Sequence, residues 1–317
     1  MNSGNDQRIA VLIPCYNEAV TVASVIRNFA KSLPDAAVYV FDNNSTDDTA
    51  SLASSAGAIV RKVVLQGKGN VIRRMFADIE ADIFVLVDGD DTYDASAAPV
   101  LVERLVSEGL DMVVGSRVSS EDGAYRLGHR LGNALLSGFV AALFGRTFSD
   151  MLSGYRVFSR RYVKSFAAIA AGFEIETELT IHALELRMPV AEIKTRYVSR
   201  PEGSTSKLNT YVDGFKILLT IFKLFKSEKP LLCFSLGFFV CLLLSTSLSL
   251  PLFATYLETG LVPRLPTALI CVALMLLGSI SLVCGIVLDT VTLGRAESKH
   301  FAYLSISAPA VQLPPER

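Results

Sequence analysis

Ile83-Phe-Val-Leu-Val-Asp-Gly-Asp-Asp-Thr-Tyr-Asp94 runs through apolar residues and ends abruptly in Asp88, Asp90, Asp91 and Asp94. A short apolar run bounded by polar residues reads as a strand buried on both faces, as in a parallel sheet. In open α/β sheets ligands bind beyond the carboxyl ends of such strands, so these acids fall where a site is expected. Carboxylates this close repel one another, and they either take up protons or share a cation. Asp-x-Asp around a glycine suits Mg²⁺ or Mn²⁺, hard ions that prefer oxygen ligands and keep positions open for diphosphate oxygens. The same residues also suit a plain polar turn that ends a strand and caps a helix, because Asp and Gly are common turn formers. The flanking chain has to decide between the two.

On both sides a strand, turn and helix recur. Residues 9–13 predict a strand closed by Pro14-Cys-Tyr-Asn-Glu18 and followed by a helix over 20–29. A second strand over 37–41 ends in Asp42, and Asn43-Asn-Ser-Thr-Asp-Asp48 opens a helix with the capping pattern Ser45-x-x-Asp48. Residues 58–64 lead to Gln66-Gly-Lys-Gly-Asn70 and a helix over 71–79; a further helix over 99–108 precedes a fifth strand at 112–114, closed by Gly115-Ser-Arg117. This alternation predicts an α/β domain with a parallel, doubly wound, Rossmann-like sheet. The loops after its strands carry Asn17, Glu18, Asp42, Lys68, the Asp88 cluster and Arg117, which is how a nucleotide site at a sheet edge is assembled. Gly-x-Gly-x-x-Gly is missing after the first strand, and Gln66-Gly-Lys-Gly-Asn70 lacks the Walker spacing, so neither an NAD enzyme nor a P-loop NTPase fits.

Hydrophobic residues make up 51% of the 317 and charged residues only 19%, too greasy for a purely soluble chain, and the excess lies beyond Pro230. No charge occurs between Lys229 and Glu258 or between Arg264 and Asp289. Each window matches the roughly 17–25 residues of a spanning helix, which predicts a transmembrane hairpin over 230–294. Lys223, Lys226 and Lys229 precede it, and Arg295 and Lys299 follow it, so the positive-inside rule puts both ends on the cytoplasmic side of the inner membrane. The polar start of the chain, without an apolar signal core, agrees. With no charge at mid-depth the hairpin reads as an anchor. Residues 209–229 place Asp213, Lys216, Thr220, Lys223 and Lys226 on one helical stripe, as in a juxtamembrane helix lying among headgroups or a helix packed on the sheet. Residues 130–148 read as a core helix or an interfacial one, and 1–208 as the cytoplasmic catalytic domain. A cytoplasmic tail over 295–317 ends in a Pro-rich stretch that reads as disordered. A net charge of −1 gives no nucleic-acid footprint, the five cysteines show neither zinc spacing nor a disulfide framework, and the three histidines are scattered.

Taken in order, Val11-Leu-Ile-Pro-Cys-Tyr-Asn-Glu18, Asp42-Asn-Asn-Ser-Thr-Asp-Asp-Thr49, Gly67-Lys-Gly69 and Asp88-Gly-Asp90 resemble the family 2 glycosyltransferases with the GT-A fold. Asp150-Met-Leu-Ser-Gly-Tyr-Arg156, Phe173-Glu-Ile-Glu-Thr-Glu178, Arg200-Pro-Glu-Gly-Ser-Thr-Ser-Lys207 and the hairpin extend the likeness to the polyprenyl-phosphate branch, which includes dolichyl-phosphate mannose synthases and bacterial undecaprenyl-phosphate glucosyltransferases. The resemblance implies that Pro14, Tyr16, Glu18, Asp42 and Lys68 hold a nucleotide-sugar donor, and that Asp88 and Asp90 hold the metal and the donor diphosphate. It also implies that Arg117, Arg130, Arg200 and Lys207 receive the phosphate of a polyprenyl lipid, with Asp90, Asp150 and Arg117 as the catalytic set. Asp42 also fits a capping turn, Arg130 a snorkelling residue, and Glu174, Glu176 and Glu178 either a sugar pocket or a helix start. Asp91 fits an extra ligand or a turn acid, and Asp94 a turn or cap.

The implied reaction is an inverting displacement in which the lipid phosphate attacks the anomeric carbon and nucleoside diphosphate leaves. The resemblance of Asp289-Thr-Val-Thr292 to bacterial relatives favours a UDP-sugar; the resemblance to the branch as a whole implies undecaprenyl phosphate as acceptor and a homo-oligomer. A processive polysaccharide synthase is disfavoured because the chain has no Trp for the Gln-x-x-Arg-Trp motif. A membrane nucleotidyltransferase would carry a Gly-rich first loop. A glycosyltransferase with another acceptor stays open, and intact acid and base sets speak against a non-enzymatic scaffold.

Overall fold

The structure is a computed structural model that describes residues 7–119, 138, 140–141, 148–167, 170–172, 174–201, 219, 222–262 and 264–308. Its α/β part begins with β1 (Ile9–Cys15), α1 (Val22–Ser32), β2 (Ala37–Asp42), α2 (Thr49–Ser55), β3 (Ile59–Lys62), α3 (Lys68–Asp78) and β4 (Ile83–Leu86). A 3₁₀ turn (Ala95–Ala97), α4 (Ala98–Ser107), β5 (Met112–Ser119), β6 (Arg156–Ser159), α5 (Arg160–Ser165), α6 (Ile175–Glu185) and β7 (Val190–Tyr197) follow. The seven strands form one sheet in the order β3-β2-β1-β4-β6-β5-β7.

Alternation along the strands sorts the core into two layers. Val11, Ile13, Val85, Val113 and Val157 pack with Val25, Phe29 and Leu105 of α1 and α4 on one face. Leu12, Phe84, Leu86, Met112 and Phe158 pack with Met75, Phe76, Tyr162 and Leu179 of α3, α5 and α6 on the other. All four residues of β4 are buried, as the unbroken apolar run predicts.

Two local expectations change. β6 is antiparallel to both β4 and β5, so the sheet is mixed. Gly115 N–H donates to Tyr155 O and Arg117 N–H to Asp150, so the stretch before β6 lies at the carboxyl end of β5, and β6 runs back from that end. Ser45 does not cap α2, whose N-cap Asp48 makes no side-chain capping bond. Ser45 Oγ instead accepts from Asn17 N–H at 2.9 Å, because the loop after β1 competes for it.

The chain divides into two compact units, Met1–Ile217 with Lys299–Arg317, and Leu218–Ser298. The second is built on α7 (Pro230–Thr259) and the larger part of α8 (Leu265–Leu304), two helices long and apolar enough to cross a membrane. At about 1.5 Å per residue they reach about 45 and 60 Å, against a hydrocarbon core of about 30 Å. Small residues let the two backbones approach: Gly278 faces Cys241 and Phe238, Gly285 faces Phe234, and Ser245 Oγ donates to Cys271 O at 3.0 Å. The stretch expected as a tail from residue 295 is helical as far as Leu304. Most of the helices expected at 130–148 and 209–229, and residues 309–317 of the Pro-rich end, lie outside the described residues.

Candidate functional site

Beyond β4 the acid stretch forms a pinned loop. Gly89 is pressed against β1, where an added Cβ would meet Cys15 Sγ at 2.7 Å, and its carbonyl accepts from Thr21 Oγ1 at 2.6 Å. Asp91 takes a positive φ of 56° and turns the chain. Thr92 Oγ1 donates to Asp90 Oδ1 at 2.6 Å, and Asp94 caps the 3₁₀ turn by accepting from Ser96 N–H at 2.9 Å. Asp91 is thus the turn residue and Asp94 the cap. Tyr93 OH accepts from Gly154 N–H at 2.8 Å, and a Cβ on Gly154 would stand 2.3 Å from Asp88 Oδ2, so only glycine lets the chain before β6 close over Asp88.

Two cations from other elements meet these two acids, and a third carboxylate shares one of them. Lys68, the first residue of α3, places Nζ 2.5 Å from Asp88 Oδ1 and 2.5 Å from Glu176 Oε1 in the first turn of α6. Burial disfavours the Lys68 cation, but the carboxylates of Asp88 and Glu176 outweigh it and hold its pKa well above the ordinary lysine range. Burial lifts the Glu176 carboxyl, and the Lys68 charge works against that lift. The glycines beside Lys68 serve packing: a Cβ on Gly67 or Gly69 would lie 2.2 or 2.1 Å from the carbonyls of Ala171 and Ala170. Past β7, Val198 N–H donates to Thr92 O at 3.0 Å, and Arg200 Nη2 reaches Asp90 Oδ2 at 2.7 Å. Burial, and then the Asp88 charge, raise the Asp90 carboxyl above its usual range, against Thr92, Arg200 and Lys68.

A cleft of about 450 Å³ opens at this edge of the sheet, lined among others by Pro14, Tyr16, Glu18, Asn43, Lys68, Asp88, Asp90 and Arg200. Its volume is within the range of small-ligand sites. The polar run after β2 clasps the loop after β1: Asn17 Oδ1 accepts from Thr46 N–H at 2.8 Å, and Glu18 N–H donates to Thr49 Oγ1 at 2.9 Å. Asn43 brackets the third loop, donating to Val63 O and Leu65 O at 3.1 and 2.8 Å and accepting from Gly67 N–H at 2.7 Å. Asp42 is buried behind the cleft lining; Oδ2 accepts from Ser45 N–H at 3.2 Å, while Oδ1 has no hydrogen-bond partner among the described residues.

Seven of the expected residues therefore share one cleft: Pro14, Tyr16, Glu18, Lys68, Asp88, Asp90 and Arg200. Arg117 and Asp150 do not line it but face each other, Nε and Nη2 of the guanidinium both donating to the carboxylate at 2.7 Å. Burial works against the Asp150 charge, yet the Arg117 fork holds its carboxyl below the usual range. The guanidinium also sits 5.5 Å over the Tyr197 ring. Arg130 and Lys207 lie outside the described residues. Glu176 and Asn43 are additions to the expected set. Glu176 is marked in sequence only as one of three acids that fit either a sugar pocket or a helix start, and nothing in the local pattern marks Asn43 as the bracket of another loop.

Among the described residues no group of three or more His, Cys, Asp or Glu is arranged to hold a metal ion. The Asp88 and Asp90 pair still fits a hard divalent cation by its chemistry. It offers carboxylate oxygens in a cleft, it is crowded enough to raise Asp90, and side-chain cations already sit on both acids.

Residues 10–166 match the model of glycosyl transferase family 2. Over 251 residues the chain is 36% identical to glycosyltransferase AglJ of Haloferax volcanii, covering 78% of this chain and 81% of that protein. It is 25% identical over 221 residues to the dolichyl-phosphate hexose transferase of the same organism, covering 70% and 95%. A crystal structure of glucosyl-3-phosphoglycerate synthase from Mycobacterium tuberculosis, in complex with Mn²⁺ and uridine-diphosphate-glucose, is similar with a TM-score of 0.56 and 26% identity over 68% of this chain and 78% of that one. With its GT-A-like sheet and cleft, the chain belongs to glycosyl transferase family 2 and is a glycosyltransferase.

Proposed function

We propose that this glycosyltransferase moves a sugar from a nucleotide-sugar donor, a UDP-sugar in the favoured case, to polyprenyl phosphate such as undecaprenyl phosphate. The observation that carries the reading is the convergence of Asp88, Asp90, Lys68 and Arg200 on one cleft with Pro14, Tyr16 and Glu18. A neighbour crystallised with Mn²⁺ and UDP-glucose supports the donor class, and a relative named as a dolichyl-phosphate hexose transferase supports the acceptor class. Two helices long and apolar enough to cross a membrane suit a lipid acceptor, and the basic residues flanking them favour a cytoplasmic catalytic unit.

In this reading the loop after β1 and the Asp42–Asn43 bracket hold the nucleoside end of the donor. Asp90, with Asp88, would hold a divalent cation, Mg²⁺ or Mn²⁺, whose chemistry when bound is to stabilise the leaving diphosphate. Lys68 orients Asp88. Arg200 is paired with Asp90 and is the cation best placed to turn toward an incoming phosphate once the carboxylate is otherwise engaged. Arg117, held in one orientation by the Asp150 fork, presents a fixed positive charge for the acceptor, which makes Asp150 its anchor. A lipid phosphate is already anionic at neutral pH and needs no general base. Its direct attack on the anomeric carbon breaks the bond to the diphosphate and inverts the configuration. The test is to incubate the purified full chain with a panel of nucleotide sugars, Mg²⁺ or Mn²⁺, and undecaprenyl phosphate, and to weigh the lipid product. A single glycosyl-phosphate lipid with inverted anomeric configuration is expected; donor use with no lipid product overturns the acceptor assignment.

A further inference from the structure

Glu176 does not line the cleft, but it meets the cleft through a single contact with Lys68. We propose that Glu176 is a positioning residue for the Asp88–Asp90 pair: by drawing the Lys68 ammonium into a share between two carboxylates, it lets Lys68 orient Asp88 without neutralising it. The cleft thereby keeps an excess negative charge for a divalent cation. This rests on the reading of Asp88 and Asp90 as cation-holding residues.

The geometry of Lys68 is the first support. Its Nζ is 2.5 Å from an oxygen of each carboxylate, so neither acid has it alone. The side chain is also fixed at both ends. Its backbone lies in the Gly67–Gly69 turn pressed on Ala170 and Ala171, and its tip lies against α6. The seat of Glu176 is rigid too, because its carbonyl accepts from the fully buried Arg156 at 3.1 Å, and Ile175 and Thr177 on either side are buried.

The second support is an imperfection. Glu176 is 5% exposed, and its Oε2 is buried with no hydrogen-bond partner among the described residues. A buried acceptor left unpaired is destabilising, so this oxygen is a cost to the fold that the contact with Lys68 does not remove. Its other oxygen meets a lysine that is already paired with Asp88, so the link of Glu176 to the cleft runs through Lys68. With all five side chains ionised, Asp88, Asp90 and Glu176 carry one negative charge more than Lys68 and Arg200 supply, and without Glu176 the sum is zero; the Lys68 ammonium is what works against the burial that lifts the Glu176 carboxyl.

The test reads cation binding directly, as free Mn²⁺ in the electron paramagnetic resonance spectrum, on the full chain in detergent and without substrate. Glu176→Gln keeps an oxygen for Lys68 and removes the charge, so Mn²⁺ affinity should fall about tenfold, the scale of one unit charge in a partly screened site. Lys68→Met leaves Glu176 in place and should shift affinity the other way, several-fold tighter. Opposite signs from two partners of one ion pair are not produced by a purely structural bridge, whose loss weakens the site from either side. Unchanged or tighter binding in Glu176→Gln overturns the inference while leaving the cation reading intact. A wild-type chain that takes up no Mn²⁺ overturns that reading and this one with it. Should thermal unfolding show that Glu176→Gln does not fold, Lys68→Met decides: tighter binding supports the inference, and unchanged or weaker binding overturns it.

Discussion

Asp88 and Asp111 stand at opposite edges of the same sheet, and each has a cation at 2.5 Å. Asp88 follows β4 at the carboxyl edge, whereas Asp111 precedes β5 at the amino edge. Around Asp111 every valence is used. Arg161 forks onto both oxygens at 2.5 and 2.8 Å, Ser159 donates to Oδ1 at 2.6 Å, and Tyr303 donates to Oδ2 at 2.8 Å. Its side chain has no exposed surface. Around Asp88 and Asp90 the cations come from two separate segments, the start of α3 and the chain past β7, the acids line a cleft, and a further carboxylate, Glu176, competes for the lysine. The Asp111 cluster has no capacity left for a ligand. The Asp88 cluster is held together by contacts that a ligand can exchange, and that separates a site from a staple more sharply than burial or charge does.

The comparison breaks most visibly if the wrong cluster controls catalysis. Asp90→Asn should lower sugar transfer on the order of 10³-fold, as when a charge-stabilising group is removed from a transition state. The thermal unfolding midpoint should hardly move, because Asp90 is already crowded. Initial rates and unfolding curves on one preparation check both halves, and full activity removes Asp90 from the site. Asp111→Ala should do the reverse. It strands the Arg161 guanidinium and should destabilise the catalytic unit by about 3 kcal/mol, while the KM for the nucleotide sugar in the folded fraction stays put.

Much of this contrast is legible in the chain, and the part that is not has a physical reason. Asp88, Asp90 and Asp94 are readable because an apolar run of strand length followed by acids fixes both where a strand ends and what stands beyond it. The direction of β6 is not readable, since a buried strand has the same pattern whether parallel or antiparallel. Ser45 looked like a cap because capping is judged locally, whereas the loop after β1, distant in sequence, offers the better donor. Gly67 and Gly69 lack the Walker spacing in sequence, and only the fold shows that what they accommodate is the backbone of Ala170 and Ala171. The Lys68–Glu176 contact and the Asp111–Tyr303 contact join residues far apart in the chain and leave no periodic trace. The resemblance to a family identifies the cleft side but not the staple.

A weaker effect probes the polar groups buried on the staple's side of the function. His182 in α6 is buried against Tyr162 and Phe166, with Nε2 3.0 Å from Ser165 Oγ. Burial, with a smaller push from Lys299, lowers its pKa to about 3. The folded value lies below the unfolded one of about 6.5, so the unfolded state takes up the proton first and stability falls as the pH drops from about 6.5 toward 3. Between pH 6.5 and 5 the loss should be about 2 kcal/mol. His182→Gln should flatten that part of the curve; an unchanged slope assigns the acid sensitivity to other groups.

The smallest effect sharpens what completes the staple. Tyr303, near the end of α8, donates to Asp111 and lies 4.7 Å under the Arg161 guanidinium. Burial and the Asp111 charge push its phenol up to about 12, so it remains a donor throughout the working pH range. Tyr303→Phe keeps the ring under Arg161 and deletes one hydrogen bond to a carboxylate that retains three. The loss should be about 1 kcal/mol, discounted from the usual charged hydrogen bond because Tyr303 is half-exposed and water can replace it. Tyr303→Ala also removes the ring and should lose more, by the worth of the cation–π contact. If the two variants match, the ring contributes nothing and the hydrogen bond alone joins the last turn of α8 to β5. If Tyr303→Phe is silent while Tyr303→Ala is not, the staple is complete without its fourth bond, and the distinction between a saturated and an exchangeable acid rests on Arg161 and Ser159.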